Sequence, residues 1–147
     1  MQDLGGWGYD WLWGVPLTVV TLVLHVSALA LLNRVVVSAA RSPSFKWHPL
    51  LRATVLISAA VLISVCIHAL AAGLWAFAYV QLGALDNAHD AMLYSMEAQT
   101  SYGHTPIMLS ARWHMLGALE ALVGVMMAGL TVAFLFLTMQ QVMRRTD

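Results

Sequence analysis

The sequence predicts an all-α membrane protein with three transmembrane helices and a short re-entrant helix and loop between the second and the third. Of the 147 residues, 61% are hydrophobic and only 10% are charged, whereas about a quarter of a soluble chain is charged. The mean hydropathy is +0.76. A chain of this length forms one domain, and we expect lipid to surround much of it.

Three long apolar runs predict the transmembrane helices. Residues 11–33 and 53–85 contain no charged residue, and residues 113–143 contain one, Glu120. Each run exceeds the roughly 20 residues that a helix needs to cross a bilayer core of about 30 Å. Because the second run is longer than a perpendicular span requires, we expect it to tilt or to extend past the lipid surface.

Two polar connectors separate these runs. Residues 34–52 form the first, and its Ser-Pro and His-Pro pairs disfavour a helix. Residues 86–112 form the second. Within it, residues 88–100 are predicted to form a short helix capped by Asp86 or Asn87. That helix is too short to cross a bilayer, so it belongs either to an external loop or to a re-entrant one.

Positive charge predicts the orientation. The first connector contains Arg34, Arg41, Lys46 and Arg52, and the tail contains two more arginines, whereas the second connector contains only Arg112. The positive-inside rule places the first connector and the C-terminus in the cytoplasm. The N-terminus and the second connector then lie outside an inner or plasma membrane.

Several functional classes are excluded or disfavoured. The net charge is zero, which argues against a nucleic-acid partner. No catalytic motif is recognisable, so we expect no enzyme activity. The single cysteine, Cys66, excludes an intrachain disulfide, and its apolar surroundings in the sequence predict a packed, inert thiol. Lipid is the expected surrounding partner.

A resemblance to a known family emerges between the last two runs. Residues 90–105, DAMLYSMEAQTSYGHT, resemble the pore helix and selectivity filter of two-transmembrane potassium channels. Without a gap, five residues coincide with the inward-rectifier pattern F-S-V-E-T-Q-T-T-I-G-Y-G: Ser95, Glu97, Gln99, Thr100 and Gly103. Residues 113–124, WHMLGALEALVG, resemble the W-R-L-L-G-x-L-E-A stretch of small bacterial potassium-channel proteins.

The resemblance implies an architecture and a site. Residues 53–147 correspond to a pore domain of outer helix, pore loop and inner helix, and residues 1–52 add a transmembrane helix and a basic cytoplasmic connector. The working unit would be a homotetramer that passes a monovalent cation, potassium first, without a cofactor or a metal other than the permeating ions. The implied filter is Thr100, Ser101, Tyr102, Gly103, His104 and Thr105, supported by Glu97, Gln99, Trp113 and Glu120.

The filter departs from the family pattern at its outer end. Where the family has T-T-L-G-Y-G, His104 replaces the tyrosine and Thr105 replaces the second glycine. A β-branched residue tolerates a positive φ poorly, and potassium selectivity needs a column of equivalent carbonyl cages. We therefore expect either a pore of lowered potassium selectivity or a non-conducting membrane interaction protein that keeps the channel scaffold.

Two acidic residues have alternative interpretations. Glu120 either attracts cations into the pore or accepts a structural hydrogen bond from the short helix or from His68. The residue that matches Glu97 in inward rectifiers pairs with an arginine beyond the filter. That position is Ile107 here, so Arg112 is the possible substitute.

Glycines and histidines also leave alternatives open. Gly124 and Gly129 are either a gating hinge or sites of close helix packing. Histidines on different spans, together with nine methionines, define a rival class, a haem- or copper-binding membrane redox protein. The absence of paired histidines at i and i+4 makes this class less favoured. The histidines concerned are His25, His68, His104 and His114.

Overall fold

The computed structural model describes residues 7–41 and 48–144, and every regular element in those ranges is helical. In chain order the elements are α1 (Trp7–Arg41), α2 (Pro49–Gln81), α3 (Ala88–Thr100), a short 3-10 turn (Ala111–Trp113) and α4 (His114–Met143). Within these described ranges, three segments are long and apolar enough to cross a membrane: Gly8–Arg41, Pro49–Gln81 and Ala111–Met143. The prediction of an all-helical chain with three candidate transmembrane helices is therefore confirmed.

The first helix is longer than the sequence predicts. It continues through Arg34 and ends at Arg41, so the first connector does not begin at residue 34. Two interactions explain the extra turns. Val36 and Ala40 are buried against α2 and α4 in an apolar cluster, and the guanidinium of Arg52 donates hydrogen bonds to the carbonyls of Ala39 and Ala40 at the end of α1. A basic side chain at a helix C-terminus satisfies carbonyls that have no partner within the helix.

The second helix begins and ends earlier than the sequence predicts. It starts at Pro49, where the missing N–H of proline is not needed, and ends at Gln81 instead of residue 85. A turn at residues 82–85 follows, in which Gly83 has a φ of 64°. The predicted break at Ser42-Pro43 and the charge of Lys46 lie outside the described residues. Cys66 is exposed on the surface of α2, so the prediction of a packed thiol is wrong.

The short helix α3 has the predicted bounds, and Asn87 is its cap. The side-chain oxygen of Asn87 accepts a hydrogen bond from the Asp90 N–H at 2.8 Å, and its amide donates to the Asp90 carboxylate at 2.7 Å. The first bond satisfies one of the backbone N–H groups that a helix start leaves free, and the second joins the two side chains. The bond from Asn87, and a weaker one from His89, hold the pKa of Asp90 below its usual value.

Polar contacts attach α1 to the other two long helices along its whole length. Near its N-terminal end, the buried Asp10 carboxylate accepts the Leu116 N–H at 3.0 Å, in the first turn of α4. Deeper in the bundle, the Trp75 indole donates to the Thr21 hydroxyl at 3.0 Å. Toward its C-terminal end, the Thr138 hydroxyl donates to the Asn33 side chain at 3.2 Å. These contacts fix the rotation of α1, which apolar packing alone leaves loosely specified.

Replacing Asp10 by alanine should destabilise the protein. The change removes the carboxylate that accepts the Leu116 N–H and leaves that buried donor without a partner, a loss of about 1–3 kcal/mol. Thermal unfolding in detergent, followed by circular dichroism, should show a lower midpoint. Asp86→Ala is the matched control because Asp86 is exposed. Equal midpoints for the two variants would refute this role of Asp10.

Candidate functional site

The C-terminal end of α3 packs against the first half of α4. A Cβ atom added at Gly124 would lie 2.5 Å from both the Cα and the carbonyl oxygen of Gln99, so only glycine permits this approach. Gly124 lies ten residues after His114, the first residue of α4, which is about 15 Å along a helix that rises 1.5 Å per residue. The close-packing interpretation of Gly124 is thus supported, whereas Gly129 has no atom within 4 Å of such a Cβ.

From the end of α3 the chain runs back to the start of α4 as an irregular segment. This return segment, residues 101–110, ends beside the turn that follows α2, where the Ser110 N–H donates to the Ala84 carbonyl at 3.2 Å. Leu109 is buried in the main apolar cluster together with Trp113. A histidine of α4 also fixes the segment, because His114 Nε2 lies 2.8 Å from the Leu109 carbonyl. The segment therefore begins deep between α2 and α4 and ends at the level where α3 starts.

Glu120 joins three helices through one carboxyl group. Its side chain is fully buried and accepts hydrogen bonds from the Tyr79 hydroxyl of α2 at 2.6 Å and from the Ser95 hydroxyl and the Gln99 amide of α3, the last at 3.2 Å. His68 is not among its partners. The structural interpretation of Glu120 is therefore supported, and the partner lies on α3 as one alternative predicted.

Glu97 fixes the course of the return segment through three hydrogen bonds. One carboxylate oxygen accepts the backbone N–H groups of His104 at 3.3 Å and Thr105 at 3.1 Å, and the other accepts the Thr105 hydroxyl at 2.5 Å. The suggested partner Arg112 is elsewhere, with its guanidinium 4.4 Å from the ring centre of Tyr9 and 5.2 Å from that of Trp113. The expectation that Arg112 could replace the arginine partner of Glu97 is wrong, because backbone amides satisfy the acid instead.

The residues aligned with a selectivity filter lie on an exposed face of the chain. Ser101, Tyr102, Gly103 and His104 are exposed, and Thr105 is half-buried. Ser101 and Gly103 have φ values of 57° and 54°, in the left-handed region that glycine adopts readily and serine does not. Thr105 does not have a positive φ, so its β-branched side chain causes no strain of the predicted kind.

Two groups aligned with the filter, the Tyr102 carbonyl and the Thr100 hydroxyl, already have hydrogen-bond partners. His104 Nδ1 donates to the Tyr102 carbonyl at 2.6 Å, and the two rings stack with their centres 4.4 Å apart. The Thr100 hydroxyl donates to the Met96 carbonyl at 2.6 Å. A carbonyl that already accepts a hydrogen bond is a weaker ligand for a cation. The Tyr102 carbonyl is therefore a weaker cation ligand than a carbonyl without such a bond.

A cavity lies below the end of α3, between α2 and α4. We call it the α3 cavity; its volume is about 510 Å³. Polar groups cluster on the wall that α3 and its C-cap supply, and apolar residues form most of the remainder. The polar lining residues are His68, Gln99, Thr100 and Ser101. The cavity thus has the composition of a space that can hold water or a small polar solute under the end of a helix.

Two of the four histidines considered above meet in the interior. His25 Nε2 and His68 Nε2 each lie 3.0 Å from the Thr131 hydroxyl oxygen, and the ring centres are 4.9 Å apart. The haem-binding alternative joins histidines of different spans, but no short spacing in the sequence links His25 with His68, and Thr131 has no distinctive context. In the described ranges, no group of three or more His, Cys, Asp or Glu side chains is arranged to hold a metal ion.

Gly124→Ala should disrupt the packing between α3 and α4. The added methyl group would lie 2.5 Å from backbone atoms of Gln99, which cannot rotate away, so we expect a loss of about 1–3 kcal/mol. Gly129→Ala is the control on the same helix. It meets open space and should be neutral or stabilising, because alanine favours helix by about 1 kcal/mol over glycine. Unfolding midpoints of both variants in one detergent would decide, and a neutral Gly124→Ala would contradict the tight contact.

No protein-family model, no curated protein and no solved structure matches the chain. The function is therefore inferred from the arrangement of the site itself.

Proposed function

We propose that the chain is the pore-forming subunit of a homotetrameric, potassium-channel-like cation channel. In this proposal α3 is a re-entrant pore helix, residues 100–105 form the filter loop, and α4 lines the pore. The return segment climbs from the membrane interior to the outer side of an inner or plasma membrane, and the C-terminus lies in the cytoplasm. Ions pass down their gradient, and no cofactor takes part.

The depth of the α3 end is the observation that carries the proposal. Gln99 contacts Gly124 about 15 Å below the start of α4, which is half the thickness of a bilayer core of about 30 Å. The chain then returns to the Ala84 carbonyl, above the end of α2. A short helix that descends to mid-depth and a segment that climbs back are the parts from which cation channels build a filter.

The electrostatics of this arrangement favour a cation. The C-terminal end of α3 points the negative end of its dipole toward the α3 cavity, which Gln99, Thr100 and Ser101 line. No Lys or Arg lies in α2 beyond Arg52 or in the described part of α4 before Arg144. A positive ion in the α3 cavity would therefore meet partial negative charge without a competing fixed cation.

The exposure of the loop supports an oligomer. Irregular backbone at mid-depth cannot face hydrocarbon, because its N–H and C=O groups would lack partners. Ser101 to His104 are exposed in the single chain, so further copies or a water-filled pore must cover them. A fourfold arrangement of this face around an axis provides both, and one chain alone supplies one quarter of a filter.

The outer half of the loop favours lowered selectivity, or a second candidate function, a scaffold that does not conduct. The Tyr102 carbonyl accepts a hydrogen bond from His104, and the amides of His104 and Thr105 are bound by Glu97. The bond to the Tyr102 carbonyl competes with ion coordination, for which the family uses carbonyl oxygens. The bonds from the two amides to Glu97 fix the course of the loop instead. The inner part, from Thr100 to Ser101, keeps its position at the top of the α3 cavity.

Purified protein reconstituted in liposomes should release potassium when a gradient is applied, and native mass spectrometry should give four chains per particle. Gly103→Ala should reduce this flux at least about tenfold, because alanine is strained at a φ of 54° and the loop must then move. Gly83→Ala is matched in strain, with a φ of 64°, but lies in the turn after α2. Equal flux from both variants, or a particle that is not a tetramer, would contradict the proposal.

The potassium/sodium permeability ratio in planar bilayers should be lower than that of strongly selective potassium channels. The double variant His104→Tyr with Thr105→Gly restores the family letters and frees the Tyr102 carbonyl, so it should raise the ratio. A wild-type ratio that is already high would refute lowered selectivity. Flux that is absent from the wild type but present in the double variant would favour the non-conducting scaffold.

A further inference from the structure

Each long helix contributes one side chain to a polar cluster in the bundle interior. His25 of α1, His68 of α2 and Thr131 of α4 form this cluster, which we call the histidine pair site. Both imidazole Nε2 atoms lie 3.0 Å from the one Thr131 hydroxyl oxygen. His25 is 2% exposed and Thr131 is 8% exposed, whereas His68 also lines the α3 cavity. Ionisable side chains inside a membrane protein are energetically costly, and they commonly mark a functional site.

We propose that the histidine pair site binds one proton per chain from the α3 cavity, and that this proton reduces cation flux. The inference rests on the proposed channel function for its effect on flux, but not for the binding of the proton. The ligand is the hydrogen ion itself.

Counting hydrogens defines the neutral state. His25 Nδ1 is buried without a hydrogen-bond partner in the described residues, and a buried N–H without an acceptor is unfavourable. The hydrogen of neutral His25 therefore belongs on Nε2, which donates to Thr131. Thr131 has one hydroxyl hydrogen, and it donates to His68 Nε2. The neutral site is thus an ordered chain from His25 through Thr131 to His68.

The same count gives a capacity of one proton. An added proton on His68 Nε2 reverses that bond, so that both histidines donate to the Thr131 oxygen, which has two lone pairs. The threonine hydroxyl hydrogen, released from His68, can then turn toward a backbone carbonyl of its own helix. A second proton would fall on His25 Nδ1, without an acceptor and beside another cation at a ring distance of 4.9 Å. The second protonation is therefore strongly disfavoured.

The surroundings leave the histidine pair as the titrating group. In sequence, no acid or base other than the two histidines and the exposed Cys66 lies within about two helical turns of these three residues. Glu120 is eleven residues before Thr131 on α4 and is bound to Tyr79, Ser95 and Gln99. On α3, Glu97 is bound to the return segment. Neither acid is paired with the histidines. A positive charge on the histidine pair would therefore not be neutralised by a neighbouring carboxylate.

A proton on His68 places a positive charge on the wall of the α3 cavity. Gln99 and Thr100 line the same cavity, directly at the end of α3 that favours cations. Inside a membrane protein the effective dielectric constant is low, so this charge repels a permeating cation more strongly than it would in water. The negative end of the α3 dipole is offset, and flux falls. Imidazole is the side chain whose charge changes between about pH 5 and 8.

Potassium flux from liposomes at pH 8.0 and at pH 5.5, set on both sides, tests the effect. Flux of the wild type should fall roughly tenfold at the lower pH. His68→Gln keeps a polar side chain without a titrating ring, so the ratio of its two fluxes should be close to one. His89→Gln, which removes an exposed histidine, should keep the wild-type ratio. A ratio in His68→Gln equal to that of the wild type would overturn the proposal.

Nitrogen-15 spectra of histidine-labelled protein test proton binding without any flux. The signals of His25 and His68, assigned by single His→Gln variants, should together take up one proton between about pH 5 and 8. Thr131→Val removes the shared hydroxyl and should shift that titration. If the wild type passes no ion but one proton binds, the channel proposal fails and the site stands. Two protons, or none, would refute the site even if flux depends on pH.

Discussion

A buried carboxyl group holds the centre of this protein together. Glu120 has no exposed surface, and hydrocarbon offers no hydrogen-bond donors to replace water. Every donor must therefore come from the chain, and Tyr79, Ser95 and Gln99 supply three from two other helices. Removing one partner would leave an unsatisfied group that costs more than the bond itself contributes. This requirement fixes the depth at which α3 ends.

The residues around Glu120 also need hydrogen-bond partners from within the chain. Once Gln99 is held against Gly124, the return segment must leave α3 between α2 and α4, and its amides need acceptors from the chain. Glu97 supplies them for His104 and Thr105. The remaining exposed backbone is the part that the proposed tetramer would cover. On α1, Asp10 and Thr21 satisfy donors of α4 and α2, so this helix is bound by specific polar contacts in addition to apolar packing.

The sequence predicts the elements of this fold better than their contacts. Long uncharged runs and the cap at Asn87 are local signals, and they give three candidate spans and the bounds of α3. The end of α1 was predicted too early, because Arg34 and Arg41 suggested a connector while the stabilising contact comes from Arg52, beyond the loop. Charge alone does not show where a helix ends when a distant side chain caps it.

The residues of the site could be predicted only where a local sequence pattern contains them. Ser95, Gln99 and Glu120 could be grouped from a resemblance, although their hydrogen bonds could not. The partner of Glu97 was missed because backbone amides leave no mark in the sequence. His25 and His68 meet at Thr131 across separations of 106 and 63 residues, and no spacing rule relates side chains on three separate helices.

The central claim is that α3 descends to mid-membrane and presents its end to a shared axis. Electron cryo-microscopy of the protein in lipid nanodiscs tests this most directly, because it shows lipid boundaries and symmetry together. The account predicts fourfold particles in which Ser101 to His104 surround the axis and Gln99 lies near the bilayer midplane. A particle without fourfold symmetry, or with α3 lying on the membrane surface, would contradict it.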